Sequence, residues 1–287
     1  MQEPLLQLHA RLNSLRGLHF HLNGQLETYR KMVRKQLSSS PGGLNNLSMA
    51  SALVIRDLTE WPSHGWAVHY GSGSFGSQGE SFLATVDLLL HQSAAFTIAQ
   101  AFESFETFLY DAAARFLCAR PASLEARFQR DLQTLTKRRR DYPRYGFWRV
   151  LVRRVYRNRS NDLFKWLRSV AKDVGVAERR NNRGLNLRVW FAAFAAVRHA
   201  VTHSRGTLTP RGLRKLSAKQ RKYLSQFFPG QRDQEGYQLQ LRDRDVEQAL
   251  GFVAEYAYSI FKAQALVLHE EWRILRGQSE ASAGRAA

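Results

Sequence analysis

The chain of 287 residues is short of acid, nearly free of sulfur, and without a long apolar run. Its single cysteine, Cys118, excludes an intramolecular disulfide and any zinc cluster built on cysteines. The most apolar stretches, such as 189–197, fall far below the roughly 20 residues that a membrane span requires. The opening residues, MQEPLLQLHARLNSLR, lack the basic start and apolar core of a secretory signal. These absences predict a protein of a reducing, cytoplasmic compartment with no membrane partner. Acid is the telling shortage: 24 Asp and Glu face 43 Lys and Arg, a formal charge of +19 and a pI near 10.7. Such an excess calls for a polyanion, either nucleic acid or an acidic membrane surface. What is plentiful is apolar: 44% hydrophobic and 11% aromatic residues suffice for a packed core and exclude general disorder.

The positive charge is concentrated. Between Arg127 and Arg159 there are twelve basic residues against Asp131 and Asp141, which is +10. A second run, Arg205 to Lys222, holds seven basic residues and no acid. Arg138, Arg139, Arg140, Arg153, Arg154 and Arg205 are the candidate RNA contacts in these runs. Tyr142, Tyr145, Phe147, Trp148, Tyr156 and Tyr223 lie in or beside them. Cations neutralise phosphates and flat rings stack on unpaired bases. The same rings could instead turn into a core beneath a solvated basic face. A membrane surface is disfavoured because the runs are rich in Arg and lack a Trp/Leu-faced amphipathic helix.

Periodicity predicts an all-α fold with a small β-hairpin. Leu5, Leu8, Leu12, Leu15, His19, Leu22, Leu26, Tyr29 and Val33 alternate spacings of three and four, the seam of a supercoiled helix. After SSSPGG, the residues Leu44, Leu47, Ser51, Val54, Leu58 and Trp61 repeat that alternation. Residues 1–62 therefore read as a coiled helical hairpin, with His19 as a paired core histidine. The stretch 63–80 reads as a Gly/Ser-rich linker. Its Gly71, Gly73 and Gly76 match GxGxxG, but no second strand comes after them to complete a dinucleotide site. A long helix is expected over 81–117, stopped by Pro121, and a basic insert over about 122–185. The insert should hold one or two helices, near 124–135 and 148–174, around a Tyr-Pro break. Beyond it come a turn at Asn181–Gly184 and a compact helix over 187–203. Tyr237, Leu239 and Leu241 alternate as in a hairpin, and Asp245 with Gln248 can cap a last helix. The polar tail 276–287 reads as disordered.

The chemistry sits at the end of the compact helix, in Arg198, His199 and His203. At 100° per residue Arg198 lies only about 50° from the centre of the apolar stripe, where a guanidinium is costly unless it is paired or lines a cleft. It could be a structural ion pair with Glu103 or Glu106, which share a face of the long helix. His199 and His203 are one turn apart, a zinc-binding spacing, but no HExxH glutamate or third ligand accompanies them. No metal and no cofactor are expected.

Four pieces resemble one family: FESFETFLYDAAARFL, VRHAVTHSRG, GYQLQL and RDRDVEQALGFVAEY. Together they are similar to a HEPN domain (higher eukaryotes and prokaryotes nucleotide-binding), over about residues 81–275. In that family an Arg, a following polar residue and a His four to six positions after the Arg mark the active helix. Arg198, His199 and His203 match these roles in order, with His199 standing where Asn is more usual. The resemblance implies metal-independent RNA cleavage in a cleft between two copies, a HEPN-like bundle as the fold, and a homodimer. His203 would then be the acid/base, Arg198 the charge stabiliser, and His199 an orienting or phosphate-contacting residue. It further implies a toxin or anti-phage defence effector acting on RNA, tRNA included, with an antitoxin or defence partner. The competing expectation is a non-catalytic HEPN-like module that binds RNA or a protein. On an ideal helix Arg198 and His203 point about 140° apart, so a distorted last turn, a long reach or a second subunit must bring them together.

Overall fold

A computed structural model describes residues 2–39, 54–56, 68–70, 79–140, 142–157 and 159–273. Ten α-helices and five short strands are described, so the fold is all-α with small β insertions. The helices are α1 (Gln2–Ser39), α2 (Gly79–Ala119), α3 (Gln129–Arg138), α4 (Tyr145–Tyr156), α5 (Ser160–Val170), α6 (Lys172–Ala177), α7 (Leu187–His203), α8 (Pro210–Lys215), α9 (Ala218–Phe227) and α10 (Asp243–Leu268). The strands are β1 (Val54–Arg56), β2 (Val68–Tyr70), β3 (Thr207–Leu208), β4 (Gly230–Arg232) and β5 (Tyr237–Leu239). Packing divides the chain into two units, residues 1–17 with 95–287, and residues 18–94.

The larger unit is built on aromatic rings. Phe102 of α2 lies 5.2 Å from both Phe191 and Phe194 of α7, and Phe105 lies 5.4 Å from Phe191. Phe164 of α5 joins the cluster at 5.0 Å from Phe191 and stacks on Tyr256 of α10 at 5.6 Å. Each such pair contributes about 0.5–1.5 kcal/mol beyond its buried area, so α2 and α7 are held in one register. Leu5, Leu8, Leu12 and Leu15 of α1 are buried in this unit as well. Ion pairs Glu3–Arg115 and Arg16–Glu247 flank them.

The basic insert departs from one long helix. After two 3₁₀ turns, Pro121–Ser123 and Ala126–Phe128, it folds as α3, α4, α5 and α6. The stretch expected as helix from Trp148 to Val174 breaks between α4 and α5 and again at Ala171, whose φ of −137° leaves the helical region. Breaking the helix lets Phe147, Trp148, Tyr156 and Trp166 all enter the core. Their polar edges are satisfied there: Trp148 donates to the Pro143 carbonyl at 3.0 Å, Trp166 to the Ser123 carbonyl at 2.9 Å, and Tyr156 to Glu125 at 2.8 Å.

The expected hairpin is present as β4 and β5, and it gains a third strand. The sheet order is β3-β5-β4, all antiparallel, with Leu208 opposite Tyr237. Gly236, at φ 144°, is required here because a Cβ would meet the Leu208 carbonyl oxygen at 2.1 Å. In α10, Asp245 occupies the third helical position rather than the cap, and accepts the Arg242 amide at 2.8 Å.

The smaller unit contains the rest of α1, the start of α2, and a two-stranded ribbon in which Val54 pairs with Tyr70. This ribbon corrects one expectation: Val54–Arg56, placed in the second arm of a helical hairpin, is extended and paired. A ladder partner at 68–70 outcompetes local helix periodicity for the β-branched Val54 and Ile55. The remaining residues of that arm, the GxGxxG glycines and the tail lie outside the described residues. His19 is buried as expected, its Nδ1 3.1 Å from Ser93 Oγ and its Nε2 3.0 Å from Asn23 Nδ2. The seam shifts beyond it. Asn23 is buried whereas Leu22 and Tyr29 are exposed, so two spacings of four succeed one another at 15, 19 and 23.

Candidate active site

Helix α7 begins with Asn186, whose side chain accepts the Val189 amide at 3.1 Å and satisfies one of the free donors of the first turn. Trp190, Phe191, Ala193, Phe194, Val197 and Ala200 form its buried stripe. Arg198 stands at the edge of that stripe, one turn beyond Phe194, and continues the contact with α2 in charged form. Its Nε donates to Glu103 Oε1 at 2.7 Å and its Nη2 donates to the same oxygen. The guanidinium carbon is 6.0 Å from the centre of the Phe102 ring. Of the two readings of Arg198, the ion pair to α2 is therefore present. It is not a sealed pair, since 30% of the Arg198 side chain and 41% of that of Glu103 remain exposed. Nη1 has no partner among the described residues, which leaves two N–H groups for an anion.

The histidines lie on a different face. His199 and His203 have ring centroids 4.9 Å apart, and His203 is exposed at the end of the helix. No described residue hydrogen-bonds either ring. The helix stays regular through His203, so the angular gap to Arg198 is not closed by unwinding of the last turn. Immediately after His203 the chain turns sharply. The Ser204 and Gly206 amides both return to the Ala200 carbonyl, at 2.9 and 3.0 Å, and Arg205 adopts φ 50°. A non-glycine residue in the left-handed region costs about 1 kcal/mol or more. The cost is met by the sheet, where the Leu239 amide bonds the Gly206 carbonyl at 3.0 Å.

Glu103 belongs to a polar strip that the spacing i, i+3, i+7 places on one face of α2: Glu103, Glu106 and Tyr110. Burial first, and then the neighbouring Glu103, push the Glu106 carboxyl above its usual range, against the pull of Arg198 and of the Tyr110 hydroxyl. A carboxyl moved in that direction becomes a better proton carrier near neutral pH. The Tyr110 hydroxyl lies 3.5 Å from both the Glu106 carboxylate and the Tyr156 carbonyl. Burial and then Glu106 push its phenol up to about 12, so it stays neutral. Sequence reasoning named Glu106 only as an ion-pair partner and did not single out Tyr110. Their spacing from Glu103 was the available signal.

The expected RNA-contacting arginines are dispersed. Arg138 ends α3, with Arg139 and Arg140 directly after it. Arg153 and Arg154 are exposed on α4, and with Arg157 and Tyr110 they line a cavity of about 500 Å³. Arg154 also pairs with Asp131 at 3.1 Å. Arg205 occupies the turn beyond His203. The interleaved rings mostly do not serve as a stacking surface, since Phe147, Trp148, Tyr156 and Tyr223 are buried. Tyr145 lies beneath Arg115, 4.2 Å from its guanidinium carbon, while Tyr142 is exposed. Among the described residues no three His, Cys, Asp or Glu side chains are grouped as a metal ion would need, and no helix is long and apolar enough to cross a membrane. The chain matches no family model, no curated protein and no solved structure.

Proposed function

We propose that this chain is a metal-independent endoribonuclease of HEPN type, acting in a cleft shared by two copies. The observation that carries the reading is Arg198: a partly exposed guanidinium with donors that no described residue takes, on the helix whose last turns carry two histidines. RNA supplies its own nucleophile. A base takes the proton of a 2′-hydroxyl, the 2′ oxygen bonds to the adjacent phosphorus, the bond to the 5′ oxygen breaks, and an acid returns a proton to that oxygen. His203 is the acid/base, Arg198 stabilises the charge of the phosphorane, and His199 contacts or orients through its ring. Because Arg198 and His203 diverge on one helix, a two-fold pair of helices, which contributes two of each residue, supports a dimer. Action on RNA, tRNA included, as a toxin or anti-phage effector held by an antitoxin or defence partner rests on the family resemblance alone, and a cytoplasmic place on the single cysteine and the missing apolar segments.

One observation favours a second reading, a non-catalytic HEPN-like RNA-binding or protein-interaction module: Glu103 already neutralises much of the Arg198 charge. Cleavage of bulk RNA and tRNA in the presence of chelator separates the two. His203→Ala is expected to lower the rate by about 10²–10⁴-fold, the usual worth of one acid–base group, and Arg198→Ala by about 10²–10³-fold, the usual worth of one donor to the developing charge. Full cleavage by His203→Ala would sink the mechanism, and light scattering that finds only an active monomer would sink the shared cleft.

A further inference from the structure

The cavity beside α4 has a composition that core packing does not explain. Arg153, Arg154 and Arg157 line it within about one helical turn, where like charges repel. Among the described residues only Arg154 has a carboxylate partner, and Arg153 and Arg157 pair with none. The wall they face is Tyr110, the one ring of the α2 polar strip, held by its position next to the Glu106 carboxylate and the Tyr156 carbonyl. Apart from the guanidinium groups, the lining is mostly carbon. A flat aromatic ring bordered by guanidinium groups that no described carboxylate pairs is the arrangement that takes a base on its face and a phosphate at its edge. A duplex cannot offer an unpaired base to it, whereas a single strand can.

We infer that Tyr110, Arg153 and Arg157 form a nucleotide subsite for single-stranded RNA, with the base stacked on Tyr110 and its phosphate held by the two arginines. The inference rests on the reading of the chain as an RNA-acting protein and deepens it by naming the form of RNA. Tyr110 lies seven residues along α2 from Glu103, the partner of Arg198, which is about 10 Å along the helix axis. The subsite therefore grips the strand a short way from Arg198. Glu106 lies between the two and discourages a phosphate there, so the strand is drawn to the two cationic ends.

The test is binding of a 2′-O-methyl single-stranded oligoribonucleotide, which cannot be cut for want of a 2′-hydroxyl, measured by fluorescence anisotropy. Tyr110→Ala is expected to weaken binding by about 5- to 150-fold, the worth of one stacked base, and Tyr110→Phe to retain it. Arg153→Ala and Arg157→Ala should each lower the slope of log affinity against log salt by about 0.7, one phosphate contact on a single strand. Both arginines are exposed, so these two variants test the subsite even if Tyr110→Ala fails to fold. A duplex of the same sequence should bind equally well to the wild type and Tyr110→Ala. Three results would overturn the inference: wild-type affinity for the single strand in Tyr110→Ala, wild-type affinity in a variant carrying both Arg153→Ala and Arg157→Ala, or no binding of the strand by the wild type. Tyr110-dependent binding without cleavage of unmethylated RNA removes the nuclease reading and leaves the subsite. Cleavage with no dependence on Tyr110, Arg153 or Arg157 does the reverse.

Discussion

Helix α7 is held near each end by an arginine–glutamate pair, and the two pairs are built differently. Near its start, Arg168 of α5 donates from Nη1 to both oxygens of Glu178 at 3.1 Å, and Tyr256 of α10 donates to Oε1 at 2.6 Å. The backbone carbonyl of Glu178 accepts the amide of Leu187, the first residue of α7, at 3.0 Å. That carboxylate is 4% exposed and is held from α5 by Arg168 and from α10 by Tyr256. Near the other end, Arg198 and Glu103 share one oxygen in a partly open setting, with Glu106 beside them and guanidinium donors to spare. In the first pair the carboxylate itself is closed off from a ligand. The second has a cation that can be drawn away and a neighbouring carboxyl that can change its proton. Identical residue types thus serve structure at one end and availability at the other, and the degree of closure separates them.

The comparison can be broken by measurement. Glu178→Ala should have the largest effect on stability, since removing one partner of a buried, hydrogen-bonded pair costs about 3–5 kcal/mol. Denaturant unfolding checks it, and a loss below about 1 kcal/mol would erase the distinction between the pairs. Next, double-mutant cycles should give several-fold unequal couplings. For Arg198 and Glu103 the expected coupling is no more than about 1 kcal/mol, as for other exposed pairs. Glu103→Gln should also tighten RNA binding by releasing Arg198, whereas a variant that binds more weakly would make Glu103 part of the RNA contact.

The smallest effect concerns Glu106 and pH. Its folded-state value is raised, so the folded chain holds this proton more tightly than the unfolded chain does. The stabilisation carried by the protonated form is therefore present at low pH. It is lost as the pH climbs from about 4, the ordinary carboxyl range, through the raised value. Glu106→Gln should melt like the wild type below that window and slightly higher above it. Identical pH profiles for the two proteins would show that Glu106 titrates normally.

Much of the scaffold was legible before any coordinates. Helix α7 ends at His203, shortly before Gly206 and Pro210, and α2 stops just short of Pro121. His19 as a satisfied core histidine and the hairpin around Tyr237 emerge from pattern in the same way. The failures are as instructive. Trp148 to Val174 carries a helical period throughout, yet the chain breaks it because four large rings find better burial when α4 and α5 turn apart. Leu22 fits the α1 seam better than Asn23, yet Asn23 is inside, 3.0 Å from His19 Nε2. Val54 continues a helical alternation and is nevertheless in a ribbon whose other strand begins 14 residues further on.

By itself the sequence determined the class of fold, the places where its long helices end, and the location of the charge, since these depend on local periodicity, punctuation and counting. It also placed Arg198 on the edge of an apolar stripe, which made some partner necessary. Only the tertiary structure decided that the partner is Glu103, that most rings of the basic region are core, and that Tyr110 faces Arg153 and Arg157. The reason is physical. Period and composition act over one or two helical turns, whereas the choice of partner for a side chain depends on which distant helix the core brings beside it.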